Sequence, residues 1–333
     1  MVGIDIGSTQ IKAVEAVMKG KDIHVTRAMV VPVAKFILSD SDIDQDEIVK
    51  TLKQALREAA IKNNETTISL MESQVFTRVI ETPSLSEKEL SQALQWEAER
   101  YIPLPLNEVS MDSVVTRRNN ETMEVLLVAS PTKLIDKYTT IFNKAGVRVD
   151  AIENEALSIV RSFGQKGTNA IVVDIGGTTT NLYVLYGENL ALVRSISIGG
   201  TSMTKAISRE HNVALQQAEE FKRTYGLDAS QMEGKVAQSL LGLISPLVTE
   251  INGSMVFFKE HHQEDIVSKI ILTGGGSNLP QLTDYVTQKT GIDTSIGNPW
   301  SKFSVDSNVS KQMQGFECMF AVATGLAIRE YLQ

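Results

Sequence analysis

The sequence predicts an α/β protein that has two similar lobes with a cleft between them. Its 333 residues exceed the length of one typical domain and suit two lobes of about 150 residues each. A strand followed by Asp-Ile-Gly and then small or hydroxyl residues occurs twice, at Asp5 and again 169 residues later at Asp174. Each copy leads into further strands. A duplicated unit of this length indicates two related lobes.

The N-terminal part reads as an antiparallel meander followed by a helix. Three β-like runs, at residues 1–6, 11–18 and 23–31, are separated by spacings too short for anything but tight turns. Apolar residues at helical spacing predict a helix over 42–60. A strand over 66–71 follows it.

The segment 75–148 is predicted to be an inserted α+β module. Ser86 and Glu89 form a capping box that begins a helix, and Pro103 ends this helix. Trp96 falls within the helix and is predicted to lie in the core. The other elements predicted here are a strand at 75–80, strands near 114 and at 125–129, and a helix at 133–144.

The second lobe begins at the second copy of the motif. Its predicted elements are strands at 170–174, 182–186, 190–198 and 269–273, helices over 200–262 with a break near Gly226, and a last helix at 320–332. Trp300 is expected either to contact a partner or to be buried against that last helix. The predicted domain ranges are 1–74 plus 149–168 for the first lobe, 75–148 for the inserted module and 169–333 for the second lobe.

Composition limits the classes of function. Hydrophobic residues make up 42% of the chain and charged residues 22%, which suits a full core and a charged surface. The formal net charge of −8 argues against nucleic acid as the main partner. The single Cys318 excludes an intrachain disulfide and fits a reducing cytosol. The sequence shows no secretory signal and no run of about 20 apolar residues, so we expect membrane association only through a partner.

The two Asp-Ile-Gly turns have the chemistry of phosphate loops. Glycine lets the backbone approach a phosphate, hydroxyl groups donate hydrogen bonds, and Lys12 neutralises charge. Asp5 and Asp174 suit Mg²⁺ held through water rather than direct phosphate contact. One such turn alone is compatible with an ordinary glycine hairpin, whereas two matched copies favour a phosphate site. The predicted phosphate-binding residues are Gly7, Ser8, Thr9, Gln10, Lys12, Gly176, Gly177, Thr178, Thr179 and Asn181.

A third glycine-rich turn follows the apolar strand at 270–272. It contains Gly274, Gly275, Gly276 and Ser277, about 100 residues after Asp174. Glycines at this place let the backbone pack against a flat base or a ribose. Alone, such a turn is often an ordinary loop, and its place in the second lobe favours a nucleotide role.

Together these three turns resemble those of the actin, Hsp70 and sugar kinase superfamily, in the same order. The resemblance implies an actin-like fold with duplicated ribonuclease H-like lobes that bind ATP and Mg²⁺. It extends to Glu219 and Lys222, which match helix positions that contact ribose and base in bacterial members. Glu155 matches, by rough alignment, the glutamate that orients the attacking water in MreB-like relatives. The alternative for Glu155 is a carboxylate at a helix start, which predicts at most slow ATP hydrolysis.

The inserted module narrows the resemblance to the PilM family of type IV pilus assembly proteins. The residues that carry it are the segments 75–83, 95–103, 105–109 and 297–299, with Asp112. The resemblance covers essentially the whole chain. It implies a protein at the cytoplasmic face of the inner membrane that holds the N-terminal peptide of PilN and works with other inner-membrane and motor components of the pilus that drives twitching motility.

Two other functions stay open at this point. An FtsA-like or MreB-like filament protein shares the superfamily, although the end of the chain shows no basic amphipathic tail of the FtsA type. A small-molecule kinase needs a catalytic Asp in an enclosed pocket, and only Asp112 stands out in the inserted module. His261 and His262 lack further ligands at metal-binding spacing.

Overall fold

The computed structural model describes residues 1–33, 37, 39, 41–62, 65–263 and 265–332. Its strands are β1 (Val2–Ile6), β2 (Gln10–Lys19), β3 (Asp22–Pro32), β4 (Thr66–Leu70), β5 (Phe76–Pro83), β6 (Val109–Arg118), β7 (Thr122–Pro131), β8 (Val149–Asn154), β9 (Asn169–Ile175), β10 (Thr180–Tyr186), β11 (Asn189–Ile196), β12 (Lys269–Thr273), β13 (Thr294–Ile296) and β14 (Ser304–Val305). Its α-helices are α1 (Asp42–Glu58), α2 (Glu87–Tyr101), α3 (Thr132–Ala145), α4 (Glu155–Phe163), α5 (Gly200–His211), α6 (Leu215–Tyr225), α7 (Lys235–His261), α8 (Leu282–Thr290), α9 (Ser307–Gln312) and α10 (Ala321–Ala327).

Two of the sheets repeat the same internal pattern. The first has the order β14-β3-β2-β1-β4-β8 and the second the order β11-β10-β9-β12-β13. In the first, β1 pairs antiparallel with β2 and parallel with β4. In the second, β9 pairs antiparallel with β10 and parallel with β12. The duplicated lobes predicted from the repeated motif are therefore confirmed.

The first sheet is covered on one face by α1 and α3. Ile48 and Leu52 of α1 and Tyr138 and Phe142 of α3 are buried with the side chains of β1 and β4. Ser41 caps α1, and Gly146 ends α3 in the left-handed conformation that glycine adopts without strain. The range predicted for the inserted module includes α3, whereas these contacts favour placing α3 in the first lobe.

The second sheet packs against α5, α7 and α8. The helical region predicted over 200–262 is divided by Asn212 and Gly226, both with positive φ. Residues 232–261, which include α7, are long and apolar enough by composition to cross a membrane. Ile244, Leu247 and Ile251 of α7 are nevertheless buried in the core under the second sheet. Packing inside the lobe therefore accounts for the buried third of this apolar stretch.

The inserted module consists of the sheet β5-β7-β6 and the helix α2 that covers one face of it. The predicted capping box of Ser86 and Glu89 is present. The prediction that Trp96 lies in the core is wrong, because its side chain is 75% exposed. Residues four apart, Leu90, Leu94 and Ala98, form the buried face of α2, and Trp96 follows Leu94 by two positions, about 200° around the helix.

The C-terminal region returns to the first lobe. Strand β14 extends the first sheet beside β3, and α10 lies against β1, β2 and α4. Backbones approach closely here, since a Cβ on Gly3 would lie 2.1 Å from the carbonyl oxygen of Ala323. Trp300 is buried and donates from Nε1 to the Thr324 hydroxyl at 2.9 Å. The last helix is shorter than predicted, ending at Ala327 before a 3₁₀ turn.

Candidate functional site

The two Asp-Ile-Gly turns face each other across the cleft. They have the same backbone geometry: Gly7 N–H donates to the carbonyl of Gln10, and Gly176 N–H to that of Thr179, both at 2.9 Å. A Cβ on Gly177 would lie 2.6–2.8 Å from side-chain atoms of Thr9 and Ser8. A side chain at this position would require Ser8 and Thr9 to shift, so glycine favours this approach of one lobe to the other. The predicted loops are thus brought together.

Lys12 is the cation at the base of this cleft. Its Nζ lies 2.5 Å from Oδ2 of Asp5, whose other oxygen accepts from the Ser69 hydroxyl at 3.3 Å. Burial lowers the pKa of Lys12, but the carboxylates of Asp5, Asp174 and Glu155 outweigh burial, so the pKa is raised. The Lys12 side chain is therefore charged. It is the cation that these neighbouring carboxyl groups share.

Asp174 occupies the matching position in the second lobe. Burial raises its pKa to about 6, helped by Asp5 and opposed by Lys12. The backbone of Gly274 packs directly on it, since a Cβ there would lie 2.5 Å from Oδ1 of Asp174. Asp5 and Asp174 thus flank the same lysine. Among the described residues, no group of three His, Cys, Asp or Glu side chains is arranged to hold a metal. Asp5 and Asp174 are the two carboxylates that would hold a Mg²⁺ ion through water.

Glu155 begins α4 and points toward the same cluster. It is buried, and burial together with Asp5 and Asp174 raises its pKa well above the usual range. Its Oε2 accepts from Nδ2 of Asn181 at 2.9 Å and from the Tyr183 hydroxyl at 3.4 Å. Asn181 also accepts at Oδ1 from Ser195. The predicted phosphate contact of Asn181 therefore competes with two protein partners.

Glu72 is a member of this cluster that the sequence did not reveal. It lies in a 3₁₀ turn between β4 and β5, where the chain leaves the first lobe for the inserted module. Its Oε2 is buried with no hydrogen-bond partner among the described residues, and Thr77, Glu155 and the backbone of Ala156 lie beside it. Burial raises its pKa to about 7. No sequence motif surrounds Glu72, so only its position in the folded structure identifies it as a member of the cluster.

The N-terminus of α5 and one face of α6 form the next wall. Gly200 and Thr201 N–H groups donate to the carbonyls of Gly176 and Gly177, which ties α5 to the second loop. Lys222 donates to the Gly200 carbonyl at 3.0 Å and to Glu219 at 2.6 Å. Despite partial burial, hydrogen bonds from Lys222 and Thr204 lower the pKa of Glu219 to about 2. Glu219 and Lys222, the predicted ribose-contacting and base-contacting pair, thus lie next to the second Asp-Ile-Gly turn.

The third glycine turn packs behind the second loop. A Cβ on Gly276 would lie 2.3 Å from Ile175 Cγ2, so glycine is required there for packing. The Ser277 hydroxyl is buried and donates to the Gly274 carbonyl at 2.7 Å. This hydroxyl stabilises its own turn, whereas Gly275 contributes backbone to the turn without such a clash.

Comparison with known proteins identifies the family. The sequence model described as type IV pilus assembly protein PilM matches residues 3–331. The chain belongs to the PilM family. A solved PilM-PilN type IV pilus biogenesis complex superimposes with a TM-score of 0.86 and 27% identity, covering 100% of this chain and 98% of that chain. The role of this PilM-family chain lies in type IV pilus assembly, and the predicted resemblance is confirmed.

More distant relatives agree with an actin-like fold. The cell division protein FtsA of Enterococcus hirae is 22% identical over 344 residues, covering 90% of this chain and 78% of FtsA. FtsA of Bacillus subtilis gives the same identity and coverage over 350 residues. MreB5 of Spiroplasma citri, solved with ADP, has a TM-score of 0.56 at 14% identity, covering 99% of this chain and 95% of that one. The predicted fold class is confirmed.

Proposed function

We propose that this protein binds ATP with Mg²⁺ in the cleft between its lobes. The observation that carries the proposal is the pair of glycine turns with the same backbone hydrogen bond, which meet at Gly177, Ser8 and Thr9 near Lys12. Both turns would present N–H and hydroxyl donors to phosphate oxygens. Asp5 and Asp174 would hold Mg²⁺ through water, and the ion would supply neutralisation of phosphate charge. Glu219 and Lys222 would contact ribose and base.

We further propose that hydrolysis is slow and that ATP acts mainly as a structural ligand. A water-orienting glutamate acts best as a carboxylate. The pKa of Glu155 is raised by burial, and its Oε2 already accepts from Asn181 and Tyr183. A Glu155 carboxyl that takes up a proton more readily and already accepts from two donors orients water weakly. A phosphate-release assay that found rapid turnover, lost in Glu155→Gln, would contradict this proposal.

The proposed partner is the cytoplasmic N-terminal peptide of PilN. The similar solved structure is that of a PilM-PilN complex, and its coverage of the whole chain supports a shared partner. Binding to PilN would place the protein at the cytoplasmic face of the inner membrane, near other inner-membrane and motor components of the pilus. Nucleotide-driven closure of the lobes would tune a groove between the inserted module and the first lobe.

Calorimetric titration tests both proposals on the purified full chain. ATP·Mg²⁺ is titrated first, and then a synthetic PilN N-terminal peptide with and without nucleotide, with a scrambled peptide as control. We expect both ligands to bind and nucleotide to change the peptide affinity. Peptide binding without ATP binding would refute the nucleotide proposal, and ATP binding without peptide binding would refute the adaptor proposal.

A filament-forming protein of the FtsA type is the second candidate. The similarity to FtsA over 90% of this chain favours it. Sedimentation in the presence of ATP·Mg²⁺ separates the two: a filament protein pellets in a nucleotide-dependent manner, and an adaptor stays in the supernatant.

A further inference from the structure

The outer edge of the inserted module is a strand with an exposed backbone edge. In the part of the chain that the structure describes, β6 pairs with β7 alone and ends the β5-β7-β6 sheet. Every residue from Ser110 to Val115 is exposed. An unpaired strand edge offers a row of N–H and C=O groups that a further strand can pair with.

Apolar side chains lie on both faces of this edge strand. Residues opposite each other in a sheet share a face, so Val115, paired with Val125, lies on the α2 side. Val114, paired with Leu126, lies on the other side. Val114 is 46% exposed and Val115 is 40% exposed. A second strand beside β6 would cover both valines at once, which a ligand on a single face would not.

A groove of about 500 Å³ runs along the same edge between α2 and β6. Leu90 and Leu94 of α2 form its apolar floor, and Met111, Asp112 and Ser113 form its β6 side. The groove shows that α2 leaves this part of the sheet uncovered.

The charges along β6 indicate which strand would pair with its free edge. Acidic residues lie just before the strand, at Glu108, and in its first half, at Asp112, and basic residues lie at its end, at Arg117 and Arg118. Antiparallel pairing with an identical strand places the acidic end of one beside the basic end of the other. Parallel pairing would instead bring like charges together. The strand is therefore complementary to itself in the antiparallel sense.

We infer that β6 is a self-association edge, where two copies of this chain join their three-stranded sheets by antiparallel β6–β6 pairing about a two-fold axis at Val114. In this register Val114 lies opposite Val114 of the second copy, and Ser113 opposite Val115. The one-residue irregularity between Val115 and Arg117 then sets Asp112 opposite Arg117 of the second copy. Arg117 already lies 3.3 Å from Glu124, so Asp112 of the second copy would complete a three-charge row.

Disulfide trapping tests the register directly. Val114→Cys places two thiols opposite each other, at a spacing of about 5 Å between Cβ atoms, while the natural Cys318 is buried. We expect a covalent dimer under mild oxidation. Val256→Cys is the matched control, since Val256 is 58% exposed on α7. If Val114→Cys cross-links no more than the control, the inference is overturned. Because the disulfide also traps short-lived pairs, this holds even for a weak dimer.

A charge-mixing experiment provides the second readout. Val114→Lys and Val114→Glu each place like charges opposite each other, and we expect each to raise the dimer dissociation constant by about tenfold or more in sedimentation equilibrium. An equimolar mixture of the two should form heterodimers again, because Lys then lies opposite Glu. Since Val114 is exposed, neither change is expected to unfold the chain. Undiminished dimers of Val114→Lys alone would show that the interface is elsewhere.

Discussion

At the scale of single residues, burial decides which carboxylates near the cleft are charged. Glu72 has a pKa of about 7 against an ordinary value of 4.5, because burial penalises its charged form. Between these two pH values the folded protein holds a proton that the unfolded chain has released. The free energy of unfolding therefore falls as the pH rises through this window. The full penalty, roughly 3 kcal/mol, is present above pH 7.

We predict that Glu72→Gln stabilises the protein at high pH. The amide keeps the shape of the carboxyl and cannot ionise, so the variant should be more stable than the wild type by roughly 3 kcal/mol at pH 8 and equally stable at pH 4. Denaturant unfolding at both pH values measures the difference. Glu99→Gln, on the exposed face of α2, should show no pH-dependent gain. An equal gain at pH 4 and pH 8 would show that the effect is not electrostatic.

Lys12→Met is predicted to destabilise the protein at neutral pH and to do so less at acidic pH, whereas Glu72→Gln is predicted to stabilise it at high pH. It leaves the buried carboxylate of Asp5 without its cation, a loss that typically costs 3–5 kcal/mol at neutral pH. The pKa of Asp174, already raised to about 6, would rise further, so acidification should recover part of the lost stability. Thermal unfolding at pH 7 and pH 4.5 measures this recovery. Lys21→Met, in the exposed turn between β2 and β3, serves as control.

Some residues of the candidate site could be identified from the sequence, and others could not. The Asp-Ile-Gly turns are local motifs, so Asp5, Lys12 and Asp174 could be named from sequence, and the structure brings them into one cluster. Glu72 was missed because its environment comes from β5 and α4, which are distant in the chain. The placement of Trp96 was wrong because helical spacing was read without deciding which face of α2 the sheet covers. Side-chain contacts with a nucleotide stay a prediction.

At the scale of elements, α10 is held by two glycine contacts. A Cβ on Gly325 would lie 2.0 Å from the carbonyl oxygen of Ser158 in α4. Gly3 of β1 makes the corresponding close approach on the other side of α10. An added side chain at either glycine would require the neighbouring strand or helix to move. The close packing of α10 between the two elements therefore depends on the absence of side chains at both positions.

We predict that Gly325→Ala lowers the free energy of unfolding by about 3 kcal/mol, the upper range for overpacking against a core. Gly242→Ala is a matched control within α7, where nothing lies within 4 Å of the added methyl group. This control should stabilise the protein by about 0.5–1 kcal/mol, as alanine favours a helix over glycine. Urea unfolding compares both with the wild type. A neutral Gly325→Ala would mean that α10 moves freely.

Two element boundaries were predicted well because strong local signals mark them. The capping box fixed the start of α2, and Gly146 fixed the end of α3. The assignment of α3 to a domain could not be read from sequence, since its buried face is apolar whichever sheet it covers. The short strand β14 has two residues, too few for a periodic pattern. Its partner β3 lies about 280 residues earlier in the sequence, so no local pattern predicts the pairing.

At the scale of the whole molecule, the cleft closes where Gly177 meets Ser8 and Thr9. These residues come from different lobes, and their contact sets how closely the lobes approach. Gly177→Ala adds a methyl group 2.6–2.8 Å from both side chains and should hold the lobes apart. A wider cleft would leave one phosphate loop out of reach of the nucleotide. Unlike Gly325→Ala, this change acts on the contact between lobes rather than on a core.

We therefore predict that Gly177→Ala loses about half or more of the stabilisation that ATP·Mg²⁺ gives. At a ligand concentration 100 times the dissociation constant, binding should stabilise the wild type by about 2.7 kcal/mol, and a tenfold weaker affinity removes about half of that. The melting temperature with and without ATP·Mg²⁺ measures the gain in each variant. Gly253→Ala, in α7 with nothing within 4 Å of the added methyl group, should keep the full gain. An undiminished gain in Gly177→Ala would place the nucleotide away from the contact between the two turns, and the lobe-closure account would fail while the fold stands.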